Sequence, residues 1–405
     1  MIKLLYGIGG NMKKNKYLNG IIPMILINFS IGSVYCWTLF KEDIIKYAGF
    51  NKSIVEWCFS LAIFFLGMSA AFGGKIVEKD VKKSSFITFL MFTLGWIVTG
   101  IGIQIKSSII TILGFGVIQG IGLGFGYITP IKTVMIWMDK NKGFAAGLSI
   151  AGFALAGVLA NPMIAYLLGK IPVYTVFYIL AALYGTCLFI AYVLIYRPNT
   201  NREEETALKF DMKKNIFTSK FILLWLLFFL NIVGGLALIS QEKQIYNIIG
   251  VSSISSVVFF CSISAILNLI GRLSMASLQD HLKNKHKPYY LMAIISLLVC
   301  FIAMVNSNTL KETLLMMWLV NFFFGCGFSC LPNILEQHYG INQLSTVQGI
   351  TLSAWGVAGL VGNQLALYII NNYNLEALYT CLGIIYTLEL IILLVWVKKT
   401  SKDLK

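Results

Sequence analysis

One arginine lies where a charged side chain is costly. From Ser253 to Leu278 the chain consists almost entirely of apolar and small residues, and this run is long enough for a helix that crosses a bilayer. Arg272 lies inside the run, where a guanidinium costs about 3 kcal/mol on membrane-insertion scales. Its fixed charge and forked donors suit a carboxylate or a phosphate. We therefore expect Arg272 to face a protein-lined or watery interior and to anchor an anion; the alternative is a structural arginine held by backbone carbonyls or by the following loop.

The residues around Arg272 support an interior position for one side of this helix. Residues three or four apart share a helix face, and at this spacing small and polar residues form a stripe: Cys261, Ser264, Ala265, Asn268, Arg272 and Ala276. The large aliphatic residues lie mostly elsewhere: Ile263, Ile266, Ile270 and Leu273. A polar stripe on a spanning helix faces a cavity or another helix rather than lipid.

The composition places this helix in a membrane protein. The 405 residues are 58% hydrophobic and only 12% charged, whereas soluble domains carry about 25% charged residues. No His-Glu-x-x-His or Gly-x-Ser-x-Gly motif and no soluble domain is present, so an enzyme or a sensor is disfavoured. The cysteines show no zinc spacing, and Cys326 and Cys330, four residues apart, are more typical of helix packing than of metal binding. We expect no cofactor and no metal.

Apolar runs separated by short polar loops predict an all-α membrane protein with twelve transmembrane helices. The predicted spans are Tyr17–Phe40, Ile54–Phe72, Ser84–Ile105, Ser107–Trp137, Phe144–Leu168, Val173–Tyr196, Phe221–Ser240, Ser253–Leu278, Tyr289–Val305, Thr313–Leu335, Val347–Ile370 and Leu375–Val397. The longest polar stretch predicts a cytoplasmic linker at 197–220. It divides the chain into two six-helix halves, 1–196 and 221–405.

The distribution of positive charge predicts the orientation. With the N-terminus in the cytoplasm, 23 of the 32 Lys and Arg residues fall in cytoplasmic segments and 7 fall outside. This asymmetry follows the positive-inside rule and predicts that both termini are cytoplasmic. The same rule, which applies to proteins in a lipid bilayer, accounts for the net charge of +15. A nucleic-acid partner is therefore not needed to explain that charge. Short loops and frequent Lys, Ile and Asn favour a bacterial inner membrane, which is the plasma membrane.

Two loops six spans apart resemble each other. After span 2 the sequence reads Gly74-Lys-Ile-Val-Glu78-Lys79-Asp-Val-Lys-Lys, and after span 8 it reads Ala276-Ser-Leu-Gln-Asp280-His-Leu-Lys-Asn-Lys. Each places an acid four residues after a small residue, then a basic or imidazole side chain, then lysines. A repeat of two six-span halves is typical of secondary transporters. We predict Gly74, Glu78, Lys79 and Asp280 to be the working residues of conformational-switch loops.

These loops resemble the loop signature of the major facilitator superfamily, although Val81 stands where the usual signature has its second glycine. Four further stretches resemble the oxalate:formate antiporter family within it, and the resemblance covers nearly the whole chain. They are Gly32–Phe40, Trp57–Gly74, Gly120–Pro130 and Ser353–Gly359. The resemblance implies the major facilitator fold and a monomeric carrier of small organic anions that works by alternating access.

The resemblance also implies a binding site. The family's intramembrane arginine in span 8 falls on Arg272, and Asn268 lies one turn before it. The second cation of the oxalate-handling members, a lysine in span 11, is replaced here by Trp355. The family's aromatic box around the anion is similar to Tyr35, Tyr127, Phe153, Phe324, Phe328 and Trp355.

The single cation predicts the substrate class. A dicarboxylate would keep one charge unpaired at low dielectric, which costs several kcal/mol, so a small monocarboxylate such as formate, lactate or pyruvate is favoured. Related proton-coupled monocarboxylate carriers have an acid at the position of Asn268, which cannot titrate. Exchange or uniport of anions is therefore favoured over a proton relay at this point. The alternatives are oxalate/formate exchange proper and an efflux facilitator for an unrelated small molecule.

Three further features carry two interpretations each. Lys132 either extends to the cytoplasmic interface, which is favoured, or replaces the missing span 11 cation. Glu389 either packs span 12 or binds a proton, and packing is favoured. The glycines between Gly114 and Gly126 predict close helix packing rather than a nucleotide-binding loop, because no strand precedes them and the third glycine of that motif is absent.

Overall fold

The computed structural model is a bundle of long helices and describes residues 15–198, 218–251, 253–305 and 309–400. Twelve helices are long and apolar enough to cross a membrane. Numbered spans 1 to 12, they are Tyr17–Ala48, Lys52–Lys79, Val81–Gln104, Ser108–Trp137, Asp139–Leu168, Val173–Leu194, Ser219–Ser240, Ile254–Asp280, Lys287–Val305, Leu310–Tyr339, Ile341–Asn372 and Leu375–Thr400. The all-α prediction with twelve spans is confirmed. Several helices run further than predicted, because polar turns continue them beyond the apolar run.

Local sequence signals explain where several helices begin and end. Span 1 ends at Gly49, which adopts a left-handed conformation with φ of 73° that glycine reaches without a steric penalty. Asn51 caps span 2, since its side chain accepts a hydrogen bond from the Ser53 amide at 3.1 Å. Asp80 caps span 3 by accepting from the Lys83 amide at 2.9 Å. These side chains satisfy amides that a helix start leaves unpaired.

Spans 1–6 precede the predicted linker and spans 7–12 follow it, and we call these two sets the first and the second half. Each span returns the chain across the bundle, so the start of span 1 and the end of span 12 lie on one face, which we call the terminal face; the other is the opposite face. Spans 2 and 11 pack along each other across the two halves, and so do spans 5 and 8. Most of the predicted linker, 199–217, lies outside the described residues, so its limits stay a prediction.

Glycines allow the helices of the two halves to approach closely. A Cβ on Gly67 in span 2 would lie 2.5 Å from the Gly356 nitrogen of span 11. Within the first half, a Cβ on Gly124 in span 4 would lie 2.2 Å from the Leu66 carbonyl oxygen. Helix pairs in membranes associate through such bare surfaces. The glycines of span 4 therefore serve helix packing, as the sequence predicts.

Candidate functional site

Arg272 lies between the two halves and is fully buried, with an exposed fraction of 0%. Its Nε donates to the Asn268 Oδ1 at 2.6 Å, and its Nη1 donates to the Ile150 carbonyl oxygen of span 5 at 2.9 Å. Its Nη2 has no hydrogen-bond partner among the described residues. One carbonyl contact therefore agrees with a structural role, while the free amino group leaves capacity to bind an acceptor.

Span 8 presents the predicted stripe to the interior. Cys261, Ser264 and Asn268 are buried, as is Arg272 itself, whereas Ile266 and Ile270 on the other side are 39% and 47% exposed. The interior position of the arginine follows from the helix period and the cost of exposing polar groups to lipid.

The six aromatic residues named from the sequence form one cluster around Arg272, which we call the aromatic cage. Ring centroids of neighbouring members lie 4.5 to 6.3 Å apart in edge-to-face arrangements: Tyr35, Tyr127, Phe153, Phe324, Phe328 and Trp355. The guanidinium carbon lies 5.5 Å from the Phe153 centroid and 5.1 Å from the Phe328 centroid, within cation–π range. The cage draws on spans 1, 4, 5, 10 and 11, so both halves contribute to it.

Three donors at this cluster lack an acceptor among the described residues. They are the Arg272 Nη2, the Tyr35 hydroxyl and the Trp355 Nε1, and all three are buried. No described carboxylate forms an ion pair with Arg272. A buried cation with unpaired donors is costly by itself, and a small anion would offset both deficits. The described site thus holds one cation and three unpaired donors among aromatic rings.

Asn268 is hydrogen-bonded within the protein at both ends of its amide. Its Oδ1 accepts from Arg272, and its Nδ2 donates to the Asn321 carbonyl oxygen at 3.1 Å. These contacts position the arginine; because an amide nitrogen carries two donors and Asn268 also lines a pocket, its role as a substrate ligand stays a prediction. Asn321 is a further site residue, and an amide within an apolar span is the sequence signal that could have identified it.

A small cavity lies between the cage and the opposite face, and we call it the outer pocket. Its volume is about 50 Å³, which is room for a few water molecules. It is lined by Tyr35, Thr38, Phe153, Gly157, Asn161, Ile239, Glu242, Cys261, Ser264, Ala265, Asn268 and Asn321. The pocket joins cage residues to a carboxyl group, Glu242, that the sequence analysis did not name.

Toward the terminal face the halves are joined by the two predicted switch loops. Asp280 accepts from the amides of Gly143 and Phe144, at 2.9 and 2.8 Å, at the start of the long helix of span 5. Glu78 accepts from the amides of Ser345 and Thr346, at 2.8 and 3.3 Å, at the start of span 11. An acid at a helix N-terminus binds unpaired amides and the positive end of the helix dipole.

The two other switch-loop residues differ in position. A Cβ on Gly74 would lie 2.8 Å from the Ser345 carbonyl oxygen, so glycine is needed for the close approach. Lys79 is exposed. The hydrogen bonds of Asp280 and Glu78 run from one half to the other, so they hold the two halves together on the terminal face.

Lys132 forms an ion pair that neither of its two interpretations included. Its Nζ lies 2.5 Å from the Glu78 Oε2, and the side chain is only 4% exposed. The ion pair replaces the hydration that an interfacial position would give. Glu389 is fully buried, and its Oε1 accepts from the Asn231 Nδ2 at 3.2 Å, while its Oε2 has no described partner. This contact agrees with the packing interpretation.

A second polar network joins the halves near the opposite face, and sequence reasoning missed it. Lys41 donates to the Glu56 carboxylate at 2.7 Å and to the Ser240 carbonyl oxygen at 2.7 Å. The Asn363 Nδ2 of span 11 donates to the Ser60 hydroxyl of span 2 at 2.7 Å. Pairs formed across separate spans leave no local spacing signal. Hydrogen bonds thus join the halves toward both faces, and Arg272 between them is fully buried.

The fold and the site together are typical of one class of protein, the membrane transporters. The described part of the chain has twelve apolar helices, a buried cation between the two halves, and loops that join the halves. The family model described as Major Facilitator Superfamily matches residues 21–363. The chain belongs to this family.

The relatives and solved structures agree with this assignment. The chain is 21% identical over 358 residues to the uncharacterized MFS-type transporter YhjX of Escherichia coli, covering 86% of this chain and 87% of the relative. It is 20% identical over 365 residues to the oxalate:formate antiporter of Oxalobacter formigenes, covering 89% and 86%. The structure of the proton:xylose symporter XylE superposes with a TM-score of 0.69 at 14% identity, covering 93% and 95%. The antiporter match agrees with the resemblance seen in the sequence motifs.

Proposed function

We propose that this protein is a transporter, not an enzyme, that moves small monocarboxylates such as formate, lactate or pyruvate by alternating access, in exchange or uniport. Arg272 anchors the carboxylate, and the aromatic cage surrounds it. The protein acts as a monomer in a bacterial plasma membrane, with both termini cytoplasmic and with the halves 1–196 and 221–405 moving about the linker 197–220.

The observation that carries the proposal is the unpaired buried cation. Arg272 has a free Nη2 and no described carboxylate partner, while two further buried donors lie in the same cage. One carboxylate group offers two oxygens, so it can satisfy more than one of these donors. A second carboxylate on the same cargo would have no second cation in the cage to pair with, because the six cage residues are all uncharged.

The proposed cycle uses the contacts between the halves. The Asp280 and Glu78 bonds hold the terminal face closed, and the Lys41 network holds the opposite face. Release of one set while the other persists exposes Arg272 to one side at a time. An anion at Arg272 neutralises the buried cation, so the loaded protein can close around it at lower electrostatic cost.

The test is counterflow of labelled monocarboxylates by purified protein in liposomes. We expect Arg272→Gln and Arg272→Lys to lower the rate at least tenfold, because the first variant removes the charge and the second removes the fork that bonds two oxygens. Folding of each variant is checked by size exclusion and thermal unfolding. Wild-type rates in either variant would refute the anchor. Faster transport of oxalate than of any monocarboxylate would refute the single-cation inference and favour oxalate/formate exchange.

A further inference from the structure

A buried carboxyl group lines the outer pocket. Glu242 begins the short helix Glu242–Ile248, which follows span 7, and only 6% of its surface is exposed. Its Oε1 accepts from the Tyr246 hydroxyl at 2.8 Å and from the Ser264 hydroxyl of span 8. No described Lys or Arg forms an ion pair with it. An unpaired acid in the path of an anion requires an explanation.

The position of Glu242 relates it directly to the arginine. Ser264, Asn268 and Arg272 follow one another at four-residue intervals and lie on successive turns of one face of span 8. The Ser264 hydroxyl donates a hydrogen bond to Glu242, and the Asn268 Oδ1 accepts one from Arg272. Two turns of helix separate the two levels by about 12 Å. Since Glu242 and Asn268 both line the outer pocket, an anion that moves between Arg272 and the opposite face passes the Glu242 carboxyl.

The titratable groups that face Glu242 are neutral near pH 7. Tyr246 is on the same short helix, and Cys261 faces the carboxyl from span 8, with Cys36 of span 1 beside Cys261. The charged side chains nearby are engaged with one another: Lys243 with Glu42 at 2.9 Å and with Asp43 close by, and Lys41 with Glu56 at 2.7 Å. The protonation state of Glu242 therefore decides the charge of the pocket.

The surroundings of Glu242 bring the pKa of its carboxyl group close to neutral pH. Burial raises the pKa of Glu242 to about 7, although hydrogen bonds from Ser264, Tyr246 and Cys261 oppose the rise. Burial disfavours the charged form of an acid, whereas donors favour it. The acid is thus mostly neutral below pH 7 and mostly ionised above it.

We infer that Glu242 is a proton-binding site that controls the access of carboxylates to Arg272 from the opposite face. The ionised carboxylate repels an anion in the narrow pocket, where the dielectric constant is low, and a proton from the water on that face removes the repulsion. The proton remains on Glu242 while one anion replaces another, so exchange needs no net proton movement. This inference rests on the proposed function and adds a condition for it.

The test is monocarboxylate counterflow at equal internal and external pH. We expect the wild type to be about tenfold faster at pH 6 than at pH 8, the ratio of protonated fractions for a pKa near 7. Glu242→Gln, which keeps an oxygen acceptor for Tyr246 and Ser264, should transport at both pH values within about twofold of the wild-type rate at pH 6. Glu389→Gln is the matched control, because Glu389 is also buried without a cation but does not line the pocket. It should keep the tenfold dependence.

Three outcomes would overturn the inference. They are a wild-type rate that is flat between pH 6 and 8, a Glu242→Gln variant that keeps the dependence, and a Glu389→Gln variant that loses it. Protein-free liposomes correct for permeation of the undissociated acid. If no carboxylate is exchanged at any pH, the proposed function fails, and infrared difference spectra between pH 6 and 8 still test the site. The spectra are taken in the Glu389→Gln background, which removes the other buried carboxyl group that has no cation among the described residues. There the carbonyl band of a protonated carboxyl should change with pH while Glu242 is present and be lost when Glu242→Gln is added; an unchanged band in the double variant refutes the proton site.

Discussion

Substitution of Asp280 tests how the terminal face is held closed. The carboxylate accepts from two amides at the start of the long helix of span 5, at 2.9 and 2.8 Å. Asp280→Asn keeps one oxygen acceptor but turns an amide group toward the second N–H and removes the charge at the helix terminus. Hydrogen bonds to charged groups contribute about 1.5–3 kcal/mol, and a charge at a helix end about 0.3–1 kcal/mol. With a discount for partial exposure, the closed state loses about 2 kcal/mol, a shift of about 30-fold in the closed-to-open ratio.

The shift is measured by distance distributions between two nitroxide labels on the terminal face. Lys140 of the first half and Lys283 of the second are exposed there, and labels introduced through an unnatural amino acid avoid the eight native cysteines. We expect Asp280→Asn to populate a longer distance. Asp139→Asn is the control, because Asp139 is exposed on the same face and the substitution makes the same change in charge. A ratio within about threefold of the wild type, or an equal shift in the control, would refute the reasoning.

Two further predictions concern the cage and the helix packing. Tyr35→Phe removes one of the unpaired donors and should raise the KM for a monocarboxylate about 2- to 12-fold. Tyr184 is a buried tyrosine in another aromatic cluster, so the control Tyr184→Phe should leave the KM unchanged. Equal effects of the two substitutions would contradict a role for the Tyr35 hydroxyl. Gly67→Ala would place a Cβ 2.5 Å from the Gly356 nitrogen and should cost about 1–3 kcal/mol through overpacking, seen as a lower thermal unfolding midpoint. Gly383→Ala, whose Cβ would have its nearest neighbour at 4.0 Å, should leave the midpoint unchanged, and a similar loss there would argue against the packing explanation.

The features that can be predicted from the sequence are those whose residues would cost a large free energy in the wrong surroundings. Twelve spans can be predicted because each run of apolar residues is long enough to cross a bilayer on its own. Arg272 stands out because a charge in such a run needs an interior position, and the helix period then indicates which neighbours share that position. The aromatic cage came from the resemblance to a family, since aromatic residues in spans have no distinctive spacing. The structure brings all six of them together, and their role in binding stays a prediction.

Features that depend on contacts between distant spans could not be predicted. Lys132 had two candidate positions by sequence, and only the packing of spans 2 and 4 places it against Glu78. Glu242 lies just beyond the apolar run that ends at Ser240, and nothing in the local sequence indicates that it is buried. Its burial depends on how the short helix after span 7 docks on span 8. The distance of Asn268 from Arg272 along the helix follows from the sequence but the direction of its amide does not, so the contact with Asn321 could not be predicted.

The aromatic cage also limits how tightly a cargo can bind. The best small ligands gain about 1.5 kcal/mol per non-hydrogen atom, so formate, with three such atoms, has a ceiling of about 4.5 kcal/mol. This corresponds to a dissociation constant of about 0.5 mM. A single cation among apolar rings offers few contacts beyond the carboxylate itself, which keeps a larger monocarboxylate well below its own ceiling. Under the proposed function, the occupied state is therefore short-lived, and the rate of formate transport should follow the concentration of the anion over the millimolar range.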